Sequence, residues 1–323
     1  FVATMPDLNQ RQPLLATYLI QNAIWWIEYA DLSGIRVDTY SYSDKAFLAD
    51  WTKAIMTEYP DFNIVGEEWT SNPAIASYWQ AGKVNNDGYT SSLPSVMDFS
   101  LQEALIQALN EDESWNTGWV KVYQSIANDF LYPNPDNLLV FADNHDMSRV
   151  FTELEQDLDK TKMAMAMLLT TRGIAHMYYG TEVLLDNTGS NDHGDIRIDF
   201  PGGFKGQPSN AFTGQGLSDE QRDMQQAITT LLNFRKQSPA IAHGKLTHFS
   251  PKAGIYSYAR ISDQQTVLVF LNKNSAAKSW SLAYMQEVIG QHKQAINLFT
   301  NQAISIIDTV ILAPKSATVL IIE

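Results

Sequence analysis

The sequence predicts an α/β chain, a parallel barrel-type sheet followed by an antiparallel β domain. Three observations carry that prediction. Over residues 1–243, apolar strand-like runs alternate with amphipathic helical stretches, the pattern of a parallel sheet built from β–α units. Three of those runs end in carboxylates: Gly34-Ile35-Arg36-Val37-Asp38, Ile64-Val65-Gly66-Glu67-Glu68-Trp69 and Phe141-Ala142-Asp143-Asn144-His145-Asp146. From Gly244 onward the helical pattern stops and short β runs take over. In a parallel barrel the strand C-termini open onto one face, so carboxylates far apart in sequence converge there.

Five strands are expected, at about 34–39, 62–68, 95–99, 137–143 and 173–179. Helices are expected at Leu14–Ala30, Lys45–Glu58, Leu101–Leu109, Thr117–Phe130 and Thr161–Leu169, each from apolar residues at helical spacing. A long helix over Asp219–Gln237 closes this part, with Ser218 as its N-cap and Pro239 just past its end. The stretch 186–195, rich in Asn, Asp and Gly, reads as a loop over the strand-end face. Beyond it, Gly254–Ala259, Thr266–Leu271, Ile304–Leu312 and Ala317–Ile322 are the β runs of the second domain, 244–323, which suits an antiparallel β-sandwich.

Alternation sharpens the strand ends. Arg36 and Asp38 share one face of their strand, and Ile35 and Val37 the other. A guanidinium beside Asp38 favours the ionised carboxylate, as a nucleophile requires; a structural Arg–Asp pair is the competing reading. Glu67 follows Ile64, Val65 and Gly66 and precedes Trp69. A largely apolar setting is therefore expected for it, which raises a carboxyl pKa and suits a general acid. Glu68 points the opposite way by alternation, and two solvated glutamates are the alternative here. His145 and Asp146 are a pair that hydrogen-bonds vicinal sugar hydroxyls, binds a metal or makes a local turn bond; this run alone does not choose. Paired carboxylates with further polar groups are what glycoside hydrolysis needs.

Taken together, the three runs resemble the α-amylase family of retaining glycoside hydrolases, glycoside hydrolase family 13. The resemblance implies a (β/α)8 TIM barrel, of which strands 4–8 lie in this chain. It implies Asp38 as nucleophile, Glu67 as acid/base and Asp146 as the transition-state-stabilising carboxylate. Arg36, His145, Trp69 and Arg149 complete the expected set as substrate-binding residues. Met5-Pro6-Asp7-Leu8-Asn9 is similar to the family's motif before strand 4, in the form typical of the neopullulanase and cyclomaltodextrinase branch. Gly173–Glu182 resembles strand 8 and its exit, and His193 to Phe212 is similar to bacterial neopullulanases of starch-utilisation systems. The implied activity is hydrolysis of α-1,4 and, as a second option, α-1,6 glucosidic bonds in maltooligosaccharides, cyclodextrins, pullulan or starch.

Two departures qualify the resemblance. Ser41 and Tyr42 stand where plain α-amylases place Lys and His after the nucleophile, which argues against an ordinary endo-acting enzyme. The family's first motif, an Asp followed by Asn-His, is absent. A complete barrel takes roughly 250 residues, so the chain is expected to be the C-terminal piece of a longer enzyme. The missing N-terminal part is then a partner, and the piece alone is expected to be poorly active.

A formal net charge of −14 and a pI near 4.8 argue against nucleic acid or an anionic membrane as partner. No apolar run of about 18 residues is present. Zero Cys excludes disulfides without choosing between bacterial cytoplasm and periplasm. No cofactor is required; a structural calcium is left unassigned, and a homodimer is left open. Two rival functions remain: a non-catalytic carbohydrate-binding relative, and a metal-dependent phosphoesterase suggested by Asn144-His145-Asp146. The second lacks its other ligand pairs in this sequence.

Overall fold

The computed structural model describes residues 4–187 and 189–322. The chain divides into two compact units, Phe1–Leu101 with Ala127–Val140, and Gln102–Ile126 with Phe141–Glu323.

The first unit runs α1 (Pro13–Ala30), β1 (Gly34–Val37), α2 (Lys45–Glu58), β2 (Asn63–Gly66), α3 (Pro73–Ser77) and β3 (Ser95–Val96). Gln12 starts α1 by accepting the Leu15 N–H, with Pro13 in the first turn where no donor is needed. Asp44 caps α2 by accepting from Ala46 and Phe47. The strands form a parallel sheet, β1-β2-β3, in which Ile35 faces Ile64 and Arg36 faces Val65. Period two then sorts the side chains. Ile35, Val37 and Ile64 join Leu48 and Ile55 of α2 in one apolar core, with Trp79, Tyr89 and Leu93. Arg36, Val65 and the residues after β2 fall on the opposite face.

The five strands expected before residue 244 are present and each is shorter than expected, whereas the runs at 254–259, 266–271 and 317–322 are strands of at least the expected length and 304–312 divides into two. β1 stops at Val37 because Thr39 takes a left-handed conformation, φ 45°. After β3, the Asp98 carboxylate accepts the Leu101 N–H at 3.0 Å and turns the chain into α4 (Phe99–Asn110). The helix expected over Thr117–Phe130 is α5 (Val120–Ala127) followed by a 3-10 turn, Asn128–Leu131. Gly118 sets its start: the residue sits at φ +76°, and a Cβ there would lie 2.4 Å from the Glu113 carboxylate.

β4 (Leu139–Phe141) belongs to the first unit up to Val140, and the second unit continues through α6 (Val150–Glu153), α7 (Leu158–Thr170), β5 (Ile174–His176), α8 (His193–Ile196), α9 (Asp219–Gln237) and α10 (Pro239–His243). α9 has the bounds read from the sequence, with a capping box between Ser218 and Gln221. Ser238 both ends α9 and caps α10. The expected β domain holds β6 (Lys245–Lys252), β7 (Ile255–Ile261), β8 (Thr266–Asn272), β9 (Lys278–Ser281), α11 (Gln286–Ile289), β10 (Gln294–Asn297), β11 (Ala303–Ser305), β12 (Thr309–Leu312) and β13 (Ser316–Ile322). Its main sheet runs β11-β10-β13-β8-β7-β6, every pairing antiparallel, and β12-β9 is a second sheet. Between the sheets lie Ala259, Leu268, Phe270, Val310 and Leu312. The other face of the large sheet packs on the helices, where Tyr258 and Thr170 at the end of α7 share a 2.6 Å hydrogen bond. Burial on both faces explains why β8 is apolar without a break from Val267 to Leu271. Among the described residues, no helix is long and apolar enough to cross a membrane.

Candidate active site

In the first unit, three of the predicted residues come together. Arg36 and Asp38 project from one face of β1 and its end, and Arg36 Nη1 donates to Asp38 Oδ2 at 2.9 Å. The register that sets Arg36 beside Val65 also sets it beside the side chain two residues on, Glu67, and Arg36 Nη2 donates to Glu67 Oε1. One guanidinium therefore holds both carboxylates through its two forks. The carboxylates differ in exposure: Asp38 has 68% of its side chain open to solvent, Glu67 only 4%.

The setting of Glu67 corrects the sequence-based expectation. It is buried as expected, but among polar partners rather than apolar ones. Besides Arg36, its Oε2 accepts the Thr39 N–H at 2.9 Å. The left-handed Thr39, rare for a β-branched residue, is what aims that N–H at the carboxylate. Backbone bonds lock the two strand ends: Glu67 N–H donates to Val37 O at 3.0 Å, and Tyr40 N–H to Glu67 O at 2.9 Å. Gly66 makes this approach feasible, because a Cβ there would come within 2.8 Å of Leu93 Cδ2 and 3.0 Å of Tyr40 Cγ. Glu68 is half-buried, with Oε2 lacking a hydrogen-bond partner among the described residues. Trp69 is half-exposed, its ring stacked on Phe99 at 4.8 Å and 25°.

In the second unit, the third run supplies another cluster. His145 Nε2 lies 3.0 Å from Asp146 Oδ2. The Asp146 N–H is held by Asn144 Oδ1 at 2.8 Å. Arg197, which the sequence reading missed, completes the group: its Nη2 donates to Asp146 Oδ1 at 2.8 Å and its Nε to His145 O at 2.9 Å. The same Nη2 lies 2.6 Å from His193 Nδ1, so that ring nitrogen is the acceptor. Arg197 follows α8, some fifty residues beyond Asp146, and no local motif in the sequence marks it.

Asp143, in the same run, is a further carboxylate to which the sequence motifs assign no role. It is buried, and burial pushes its carboxyl up to about 6 with help from Glu182, against the Val150 N–H, Arg149 and Thr181. Its Oδ2 accepts the Val150 N–H at 2.8 Å, which starts α6.

Arg149, expected to bind substrate, does not face solvent. Its side chain is 0% exposed, donating to Ile196 O at 2.9 Å and Tyr179 O at 2.8 Å, with Tyr178 and Tyr179 rings at 4.5 and 5.0 Å. It ties the loop after β5 to α8, a scaffold task suited to a buried guanidinium with planar donors. Among the described residues, no group of three or more His, Cys, Asp or Glu is placed to hold a metal.

Comparison with known proteins agrees with this fold. The family model of the alpha amylase catalytic domain matches residues 1–243, and that of the cyclo-malto-dextrinase C-terminal domain matches residues 246–321. The cyclomaltodextrin glucanotransferase of Klebsiella oxytoca is 27% identical over 296 residues, 84% of this chain and 43% of that protein. The intracellular maltogenic amylase of Bacillus subtilis is 25% identical over 325 residues, 99% of this chain and 50% of that protein. Among solved structures, the alpha-amylase of Geobacillus thermoleovorans complexed with acarbose superposes with a TM-score of 0.81 at 25% identity, covering 99% of this chain and 66% of that one. The chain spans about half the length, or less, of these two curated relatives. With three quarters of its length matched by the catalytic-domain model, the chain belongs to the alpha-amylase family.

Proposed function

We propose that this chain carries the catalytic residues of a retaining glycoside hydrolase acting on α-glucans: maltooligosaccharides, cyclodextrins, pullulan or starch. The observation that supports it best is the single Arg36 guanidinium shared between an exposed Asp38 and a buried Glu67. A retaining mechanism needs its two carboxyls about 5–5.5 Å apart, whereas an inverting one leaves room for a water between them. Two carboxylates held by one guanidinium favour the close pair.

Asp38, open to solvent and beside a cation, is the nucleophile that attacks the anomeric carbon. Glu67 protonates the leaving oxygen, and then, as its conjugate base, activates the water that cleaves the glycosyl-enzyme. Arg36 and the Thr39 N–H hold the Glu67 carboxyl in one position through both steps. Asp146 is assigned to the sugar hydroxyls, with His145 beside it, gaining strength as positive charge develops on the sugar. Arg197 orients Asp146. Trp69 offers an exposed indole on which a sugar ring stacks. On this reading, residues 1–243 are the catalytic barrel part and 244–323 a stabilising β domain.

The test is reducing-sugar release from cyclodextrin, pullulan and maltotriose, with and without a chelator, on the chain alone and with an upstream extension. Asp38→Asn keeps the side-chain shape and removes the nucleophile, so turnover should vanish while the melting temperature stays within about 1 °C, as expected of an exposed, near-isosteric change. Normal hydrolysis by that variant would place the nucleophile elsewhere. Binding without release by the extended protein would instead favour a carbohydrate-binding relative.

A further inference from the structure

Arg197 reaches Asp146 from backbone that belongs to no helix or strand. α8 is a single turn, and it ends where the Arg197 N–H donates to His193 O at 3.1 Å. Residues 198–200 follow with no regular element. A guanidinium on a long, flexible side chain keeps one orientation only if the peptides beneath it are held. Neither a helix nor a sheet supplies that hold here.

Side chains hold the carbonyls on either side of Arg197 instead. Ile196 O accepts from Arg149 Nε at 2.9 Å and from the Tyr178 hydroxyl at 3.4 Å. Ile198 O accepts from the Tyr179 hydroxyl at 2.7 Å. The two anchors differ in kind. Arg149, Tyr178 and Ile196 are all buried, so the first anchor is inseparable from core packing. The second lies at the surface, with Tyr179 39% and Ile198 38% exposed. Folding gains little from that bond, because water satisfies both the hydroxyl and the carbonyl when it opens. Its donor is nonetheless firmly placed. Tyr179 O is fixed by Arg149 Nη1 at 2.8 Å, and the Tyr179 ring packs edge-on against Tyr178 at 4.7 Å and 69°. A donor this well placed, making a bond that adds little stability, closes the segment on the far side of Arg197.

We propose that Tyr179 is a positioning residue: by holding the Ile198 carbonyl, its hydroxyl sets the Arg197 guanidinium against His145 O and Asp146. Without that bond the guanidinium leaves these acceptors more often, and Asp146 loses the partner that aims it. The consequence for turnover rests on the function proposed above; the placement of Arg197 does not.

The first measurement is water exchange of the Arg197 Nε–H, followed by NMR on the full chain with isotope-labelled arginine. Loss of the signal in Arg197→Met assigns it. Tyr179→Phe keeps the ring and removes the hydroxyl, so this exchange should quicken roughly two- to tenfold, the worth of one neutral hydrogen bond. The buried Arg149 Nε–H should exchange as in wild type. An unchanged rate at Arg197 overturns the proposal, and so does equal quickening at Arg149, which would mean loosened packing. The second measurement is kcat/KM on maltotriose for the upstream-extended protein carrying Tyr179→Phe, Arg197→Met or both. Tyr179→Phe should lower it roughly two- to tenfold alone and have no further effect in the Arg197→Met background. An equal loss in both backgrounds would mean that the hydroxyl acts without Arg197, and overturns the proposal. An extended wild type that releases no sugar counts against the proposed function alone, and the exchange rates still decide the role of Tyr179.

Discussion

Asparagine at position 143 would isolate a single buried carboxyl, and its effect follows from the structure. Asp143 is 2% exposed, and burial raises its pKa from 3.8 to about 6. A difference of that size corresponds to about 3 kcal/mol between its protonation states. The folded pKa lies above the unfolded one, so the native state holds this proton more tightly. The stabilising contribution is complete below about pH 4 and is lost as pH rises to about 6 and beyond. The asparagine side chain still accepts the Val150 N–H but has no proton to release. Between pH 4 and 7, wild type should therefore lose about 2–3 kcal/mol that Asp143→Asn does not, equal to a relative rise of about 3–4 °C in the melting temperature of a 323-residue variant. Carboxyls shifted the other way, such as Asp87 held at about 2 by Lys45, titrate alike in both proteins and cancel in the difference. Scanning calorimetry at constant ionic strength from pH 4 to 7 measures it. A difference that stays flat would refute the burial argument. A difference of the opposite sign would mean that Arg149 and the Val150 N–H outweigh desolvation.

Gly66→Ala forces a methyl against the buried Leu93 and Tyr40, at a cost of about 1–3 kcal/mol by urea denaturation; unchanged stability would show that the strand ends tolerate separation. Arg36→Met removes the guanidinium from Glu67 and leaves Thr39 as its remaining donor, so about 1–3 kcal/mol of stability should go together with turnover. Arg36→Lys should fail to restore activity, since an ammonium lacks the planar fork that spans two carboxylates. Arg197→Met breaks its charged contact with Asp146 and should lower kcat/KM roughly ten- to hundredfold in the active enzyme, with little change in melting; a loss confined to stability would make Arg197 merely structural.

Local chemistry was legible in the sequence where one element decides it. Ser218 and Pro239 bracket α9, Asp44 stands before α2, and the alternation in Gly34–Asp38 sets Arg36 and Asp38 on one face; each depends on residues within a turn or a strand. The strands before residue 244 are shorter than their sequence runs because backbone geometry stops the pairing first, as where the left-handed Thr39 follows β1 and Asp98 turns the chain into α4.

The residue types at the strand ends, and the family they mark, come from the sequence by itself. Tertiary structure alone decided what surrounds them. Glu67 is expected from its neighbours in sequence to sit in apolar surroundings, yet the parallel register of β1 and β2 brings Arg36 and the Thr39 N–H to it. Arg149 has the look of a substrate contact in sequence and is buried by a loop some thirty residues away. Arg197 reaches Asp146 across about fifty residues. Burial, register and long-range charge pairing all depend on which segments meet, and periodicity within one segment carries no record of that.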